Sequence, residues 1–275
     1  GLGGYVHPVA IKEPFKKGGG SSIPIGLVAD AVLEEVDMLE IGCLWTDETG
    51  TASLWHEILN LGVPIALSAG SDVMNDLYRT MAIGATRMYV KPEGELTIEN
   101  YLEALKKGRS FMSNGPQILF TVEGYEVGDV LKTKNNKANW KLIVHSPVSY
   151  EKIEIFVNGI VVTTKKSKNG TSETYSGSIE IPKGGWVTAR ASGSKSEWPM
   201  MDSYAFAESS PIWFNEVGST MPDTKINAAN KLLKILETSE KRLKLGYGKT
   251  EIPILMEQFS KAREKLVNIM AGNKK

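Results

Sequence analysis

The stretch VPIALSAGSD, residues 63–72, is a short apolar run that begins beside a proline and stops at glycine, serine and aspartate. A run bounded in this way predicts a buried β-strand. Similar runs in about the first hundred residues are LGGYVHP, VDMLEIGCLW and TRMYV. They alternate with amphipathic segments that predict helices, namely PIGLVADAVLEE, TASLWHEILNLG and TIENYLEALKKG. Alternating strands and helices predict a parallel α/β layer, and four strands predict about half of a (β/α) barrel.

After KKGRSFMSNGP the pattern changes to β-branched and aromatic runs separated by turn dipeptides, of which Asn158-Gly159 predicts a hairpin. The short spacing of these runs predicts an antiparallel, immunoglobulin-like β-sandwich. From about residue 222, apolar residues recur at helical spacing around the loop GYGKTE, which predicts a helical hairpin. This hairpin packs against the β domain or mediates oligomerisation. We therefore expect a β/α domain at 1–115, a β-sandwich at 116–217 and the hairpin at 218–275.

The balance of charged residues and the number of cysteines limit the classes of function that this chain can have. The 32 basic residues balance the 32 acidic ones, and neither sign forms a long block. The chain therefore lacks the basic footprint that nucleic acid requires, and no apolar run approaches the roughly 20 residues that span a bilayer. We expect a small-molecule substrate or a protein partner, no nucleic acid and no membrane span. The single cysteine, Cys43, excludes an internal disulfide and indicates a buried, inert thiol.

Three polar residues fall where the best α/β strands end. His7 follows LGGYV, Glu40 lies within VDMLEIG, and Asp72 follows IALSAGS. The carboxyl ends of parallel strands line the site in such folds, so we expect these residues to converge. One imidazole and two carboxylates form a plausible partial ligand set for zinc, manganese or iron. Each residue alone also has a structural explanation, as a packed histidine, a surface carboxylate or a helix cap.

Several motifs of this chain resemble those of a known family and occur in the same order. GYVHP, MLEIG, LWHEILNLGVPIALSAGSD, ATRMYV and LKKGRSFMSNGP resemble the second half of the PHP (polymerase and histidinol phosphatase) superfamily of metal-dependent hydrolases, in its carbaryl-hydrolase-like (CehA/McbA) branch. The resemblance covers about residues 3–116, and GSD and GRSFMSNGP are its most specific parts. It implies a distorted, here partial, β/α barrel that binds two or three divalent metals and hydrolyses phosphoesters or carbamate-type esters. On this resemblance His7, Glu40 and Asp72 are metal ligands.

The sequence also departs from the family pattern. No His-x-His occurs among its three histidines, although the family's first barrel strand carries that pair. In the last motif, Met74 stands where the family often has histidine, and a thioether suits hard divalent metals poorly. His56 and His145 lie in a helical and a strand pattern, where structural roles are expected.

The segment that follows Asp72 contains two candidates for substrate binding. Asn75 and Arg79 occur in DVMNDLYRT, a loop that faces the same pocket if the strands form a barrel. The Arg79 guanidinium could hold an anionic substrate through two hydrogen bonds, or it could pair with a nearby acid.

Two function classes follow. The first is a fragment of a metal-dependent hydrolase that acts through metal-activated water, with further metal ligands expected upstream of Gly1 and this chain alone inactive. The second is a degenerate, non-catalytic binding or interaction protein that has lost the metal site. A half-barrel would also expose unpaired backbone groups at an open edge. We expect one of two arrangements: either the β-sandwich and hairpin cover that edge, or two chains pair across it as a homodimer.

Overall fold

The computed structural model describes residues 1–73, 82–132, 134–168, 170–195, 197–247 and 252–272. Within these ranges the chain forms fifteen β-strands in three open sheets, together with five α-helices. The last two helices form a pair at the C-terminus. The protein is therefore mostly β-sheet.

The first sheet contains three parallel strands and lies in the N-terminal part of the chain. Its order is β1 (Gly4–Tyr5), β2 (Met38–Gly42) and β3 (Ala66–Ala69). Helix α1 (Leu27–Leu33) connects β1 to β2, and helix α2 (Glu48–Leu61) connects β2 to β3. All three strands therefore end at the same edge of the sheet, which we call the C-terminal edge.

Local sequence fixes both ends of α2. The side chain of Asp47 accepts a hydrogen bond from the Gly50 backbone N–H at 2.8 Å, which caps the N-terminus. Gly62 ends the helix with a φ of 95°, a left-handed conformation that favours glycine.

The predicted partial (β/α), PHP-like barrel is wrong. The fourth predicted strand, β4 (Arg87–Val90), does not join the parallel sheet; it pairs antiparallel with β5 (Ser110–Ser113) in a second sheet. Helix α3 (Ile98–Lys106) connects them, but only Ala104 and Leu105 of this helix are buried. Because α3 buries only these two residues, it does not pack across a sheet as the crossover helix of a parallel β-α-β unit does. No closed sheet occurs in the described ranges.

The second sheet has eight strands in the order β11-β10-β13-β14-β5-β4, with β15 paired to β13 and β8 paired to β15. The bounds of its other strands are β8 (Val130–Leu131), β10 (Lys152–Val157), β11 (Ile160–Lys166), β13 (Gly185–Gly193), β14 (Ala205–Ser209) and β15 (Ile212–Phe214). The third sheet has the order β12-β9-β6-β7. Its bounds are β6 (Gln117–Val122), β7 (Tyr125–Glu126), β9 (Lys137–His145) and β12 (Ser172–Glu180).

The second and third sheets enclose one hydrophobic core. The core side chains of β9 alternate with exposed ones, as expected for a strand with one solvated face. The Asn158-Gly159 hairpin is confirmed: it joins β10 to β11, and both residues have the positive φ that a type I′ turn requires.

Strand β13 differs because both of its faces are covered. Val187, Ala189 and Ala191 lie in the core between the second and third sheets. Trp186 belongs to a second core, which the second sheet shares with α1, α2 and the parallel sheet. Eight of the nine β13 residues are consequently buried.

The two C-terminal helices complete this second core. Helices α4 (Pro222–Tyr247) and α5 (Pro253–Met270) pack on each other and on α2 and α1. Their buried apolar residues recur three to four positions apart, as in Leu232, Ile235 and Leu236. The helical pair therefore packs mainly on the N-terminal helices. The sequence pattern had instead predicted that it packs against the β domain, covers the open sheet edge or mediates oligomerisation. No helix in the described part of the chain is long and apolar enough to cross a membrane.

Candidate functional site at the C-terminal edge of the parallel sheet

The structure places His7, Glu40 and Asp72 on or just beyond three neighbouring parallel strands. His7 follows β1, Glu40 lies in β2 and Asp72 follows β3. The Glu40 carboxylate accepts a hydrogen bond from the backbone N–H of His7 at 2.7 Å, so these two positions are in contact. Glu40 is buried, whereas His7 and Asp72 are exposed.

The backbone is strained at two of these positions. His7 has a φ of 35° and Asp72 a φ of 47°, in the left-handed region that residues with a side chain rarely adopt. Such conformations cost about 1–3 kcal/mol each and cluster at binding and catalytic sites. The strain lies at the edge where the sequence analysis places the site.

The donor chemistry of this edge fits a divalent cation, but the geometry fits only in part. Imidazole nitrogen and carboxylate oxygen are suitable ligands for zinc, manganese or iron. However, the described residues contain no group of three His, Cys, Asp or Glu side chains placed to hold a metal. The contact between His7 and Glu40 uses the histidine backbone and not its imidazole. The substrate-binding candidates Asn75 and Arg79, like Met74, lie outside the described residues.

Cys43 lies just beyond β2 and is buried. Burial, together with the neighbouring Glu40 carboxylate, raises the pKa of the Cys43 thiol to about 11. Its Sγ lies 3.2 Å from Thr46 Oγ1. The predicted burial of Cys43 is confirmed. The raised pKa keeps the thiol protonated at neutral pH, which agrees with the predicted inert role.

Glu48, the first residue of α2, is a candidate site residue that no sequence motif indicated. Its side chain is buried and accepts a hydrogen bond from the Tyr204 hydroxyl at 2.8 Å. Burial raises the pKa of the Glu48 carboxyl to about 7, and the negative charges of Asp202 and Asp47 raise it further. In the sequence, Glu48 is indistinguishable from an ordinary acidic residue in the first turn of a helix.

Asn114 positions the partners of Glu48. Its Nδ2 donates hydrogen bonds of 2.8 Å to Asp202 Oδ2 and to the Tyr204 carbonyl, and its Oδ1 accepts one of 2.7 Å from the Phe206 N–H. The SNGP motif therefore ties the end of β5 to the segment that precedes β14.

Glu48→Gln is expected to remove a pH dependence of stability. The folded-state pKa of about 7 exceeds the ordinary value of 4.5, so the folded protein binds this proton more tightly than the unfolded chain. Stability therefore falls as the pH rises from the unfolded-state pKa through the folded-state pKa. As the pH rises from about 5 to about 8, we expect the free energy of unfolding of wild type to fall by on the order of 2 kcal/mol relative to that of the variant. Urea unfolding at both pH values measures the difference.

Glu99→Gln is the matched control, because Glu99 occupies the first turn of α3 but is exposed. We expect this variant to follow wild type at both pH values. If Glu48→Gln and Glu99→Gln differ from wild type equally at both pH values, Glu48 does not titrate near neutrality.

His56 belongs to a buried polar cluster away from the C-terminal edge. Its Nε2 lies 3.2 Å from Glu208 Oε1, and the Arg190 Nε lies 2.5 Å from Glu208 Oε2. Burial by itself raises the pKa of Glu208, but Arg190 and the His56 hydrogen bond outweigh it and lower the pKa overall. Burial also lowers the pKa of His56, which is therefore neutral. An ionised carboxylate only accepts hydrogen bonds. His56 therefore carries its proton on Nε2, and this N–H donates a hydrogen bond to Glu208.

His145 takes no part in either cluster. It lies at the exposed end of β9, where its Nδ1 is 3.3 Å from Ser172 Oγ. The sequence analysis expected a structural role for His145, and the described contact of its side chain is this one with Ser172.

Comparisons with known proteins identify no family. No protein-family model matches this chain, and no curated protein matches its sequence. Among solved structures, the neutron crystallographic structure of a lytic polysaccharide monooxygenase from Jonesia denitrificans aligns with 48% of this chain and 79% of its own, at 13% identity and a TM-score of 0.24. A TM-score this low carries no conclusion about fold or function.

Proposed function

We propose that the C-terminal edge of the parallel sheet belongs to a metal-dependent hydrolase that acts on a small phosphoester or carbamate-type ester. The observation that carries this proposal is the arrangement of His7, Glu40 and Asp72 at the ends of three neighbouring parallel strands. The contact between the His7 N–H and the Glu40 carboxylate joins two of the three positions directly. The motifs that resemble the PHP superfamily and its CehA/McbA branch support the same function.

The residues of this chain suggest separate roles at that edge. Glu40 supplies a buried carboxylate, and the exposed side chains of His7 and Asp72 are accessible to an incoming ligand. With a pKa of about 7, Glu48 exists in both protonation states near neutral pH. That property suits a group that holds or releases a proton during hydrolysis.

The lack of a three-ligand metal group among the described residues favours the second candidate function, a non-catalytic binding protein. The described residues contain no three-ligand group, and a catalytic metal requires about three protein ligands, so tight binding of a cation by this chain alone is not expected. The two functions differ in whether His7 binds metal.

His7→Ala tests the proposal. If the imidazole is a ligand, its removal weakens Zn²⁺ and Mn²⁺ binding by at least about tenfold. Calorimetric titration of each metal measures the affinity, and hydrolysis of p-nitrophenyl phosphate and p-nitrophenyl N-methylcarbamate measures activity. His145→Ala is the matched control, because it removes an exposed imidazole that lies outside the parallel sheet.

We expect His145→Ala to bind metal as wild type does. Equal metal affinity in wild type and both variants, with no hydrolysis of either ester, would favour the non-catalytic function instead.

A further inference from the structure

A cavity of about 300 Å³ lies between the segment that precedes β4 and the segment that precedes β14. Its volume is at the lower end of the roughly 300–1,000 Å³ that small-molecule sites occupy. Two of its apolar side chains are strongly exposed: Trp198 at 83% and Ile83 at 85%. Large exposed apolar side chains around a concave surface are typical of ligand-binding grooves.

Arg87 is the one ionisable residue among the described residues that line this cavity. Its Nε donates a hydrogen bond to the Tyr89 hydroxyl at 2.8 Å, and its Nη1 donates one to the Gly84 carbonyl at 2.7 Å. Both acceptors are neutral. Within the described ranges, Arg87 forms no ion pair with a carboxylate, and its Nη2 has no hydrogen-bond acceptor. The cavity wall therefore carries a positive charge with an available donor.

Hydrogen bonds hold the walls of the cavity in place. Ser71 Oγ accepts a hydrogen bond from the Gly84 N–H at 2.8 Å and donates one to the Thr86 carbonyl at 3.2 Å. On the opposite wall, the Met200 N–H donates to the Glu197 carbonyl at 2.9 Å. Asn114, which also lines the cavity, is fixed by its bonds to the segment that precedes β14. A site preformed in this way loses little entropy when a ligand binds.

We propose that this cavity binds a small organic anion with a flat apolar body. The anionic group accepts a charge-assisted hydrogen bond from Arg87 Nη2, and the apolar body lies against Trp198, Ile83 and Met200. Arginine suits this task because its planar guanidinium donates to carboxylate, sulfonate or phosphate oxygens and stays charged. A neutral apolar ligand would leave that donor unused, and a cationic ligand would be repelled.

Two fluorescent probes with the same aromatic skeleton test the proposal. 8-Anilino-1-naphthalenesulfonate is an organic anion, and N-phenyl-1-naphthylamine lacks its sulfonate. Titrations are made with EDTA present, so the result is independent of the proposed metal site. We expect Arg87→Leu to weaken binding of the anionic probe by at least about tenfold and to leave the neutral probe unchanged. Trp198→Ala is expected to weaken both probes.

Arg263→Leu and Trp45→Ala are the matched controls. Arg263 lies on α5, away from the cavity, and Trp45 is a partly exposed tryptophan outside the cavity lining. Neither is expected to change either affinity. The proposal is overturned if the anionic probe shows no saturable binding, or if Arg87→Leu and Arg263→Leu bind it equally.

Arg87→Lys keeps the proposal testable if the leucine variant does not fold. Lysine retains the charge but not the planar donor group. We expect Arg87→Lys to bind the anionic probe more weakly and the neutral probe with unchanged affinity. Unchanged affinity for the anionic probe would also overturn the proposal.

Discussion

Arg190→Met is expected to lower the free energy of unfolding by about 3–5 kcal/mol, because it leaves the Glu208 carboxylate buried without its counter-charge. Glu208 is fully buried, and its Oε2 lies 2.5 Å from the Arg190 Nε. The guanidinium also lies 4.5 Å from the centre of the Phe156 ring, so the substitution removes a cation–π contact as well. Urea unfolding followed by circular dichroism measures the change.

Two further variants separate the buried charge from lost packing. Arg190→Met combined with Glu208→Met removes both charges, and we expect it to be more stable than Arg190→Met alone. Lys137→Met breaks an exposed ion pair with Glu180 and is expected to cost less than about 1 kcal/mol. Equal effects of Arg190→Met and Lys137→Met would show that Glu208 does not depend on Arg190.

Trp186→Ala is expected to destabilise the protein by about 3–5 kcal/mol, because it removes a fully buried indole from the contact between β13 and α2. The Trp186 ring centre lies 4.9 Å from that of His56 and 6.5 Å from that of Trp55. Its Nε1 donates to Asn60 Oδ1 at 3.1 Å. The substitution therefore leaves both a cavity and an unsatisfied acceptor. Unfolding is again followed by circular dichroism, since tryptophan fluorescence itself changes.

Trp198→Ala is the matched control for this prediction. Trp198 is 83% exposed, so its loss is expected to change stability by no more than about 0.5 kcal/mol. A similar loss of stability in both variants would contradict the assignment of Trp186 to the contact between the second sheet and α2. In the sequence both residues are tryptophans in a β-rich segment, and burial alone distinguishes them.

The candidate site could be predicted only where its residues lie at strand ends. His7, Glu40 and Asp72 each follow or lie in a short apolar run, and parallel pairing of neighbouring strands is a local consequence of the α1 and α2 connections. Glu48 could not be found in this way. Its pKa depends on Tyr204 and Asp202, which lie more than 150 residues further along the chain. The cavity beside Arg87 likewise combines residues 82–87 with residues 198–201.

The sequence alone determined the local elements: the first three strands with their helices, the hairpin at Asn158-Gly159 and the C-terminal helical pair. These follow from side-chain periodicity, helix caps and turn residues, which act over a few positions. Tertiary structure decided that β4 joins the second sheet and not a barrel, and that the helical pair covers α1 and α2. The physical reason is that an apolar run requires burial on a face but does not specify its partner. Long-range packing of the whole chain selects that partner.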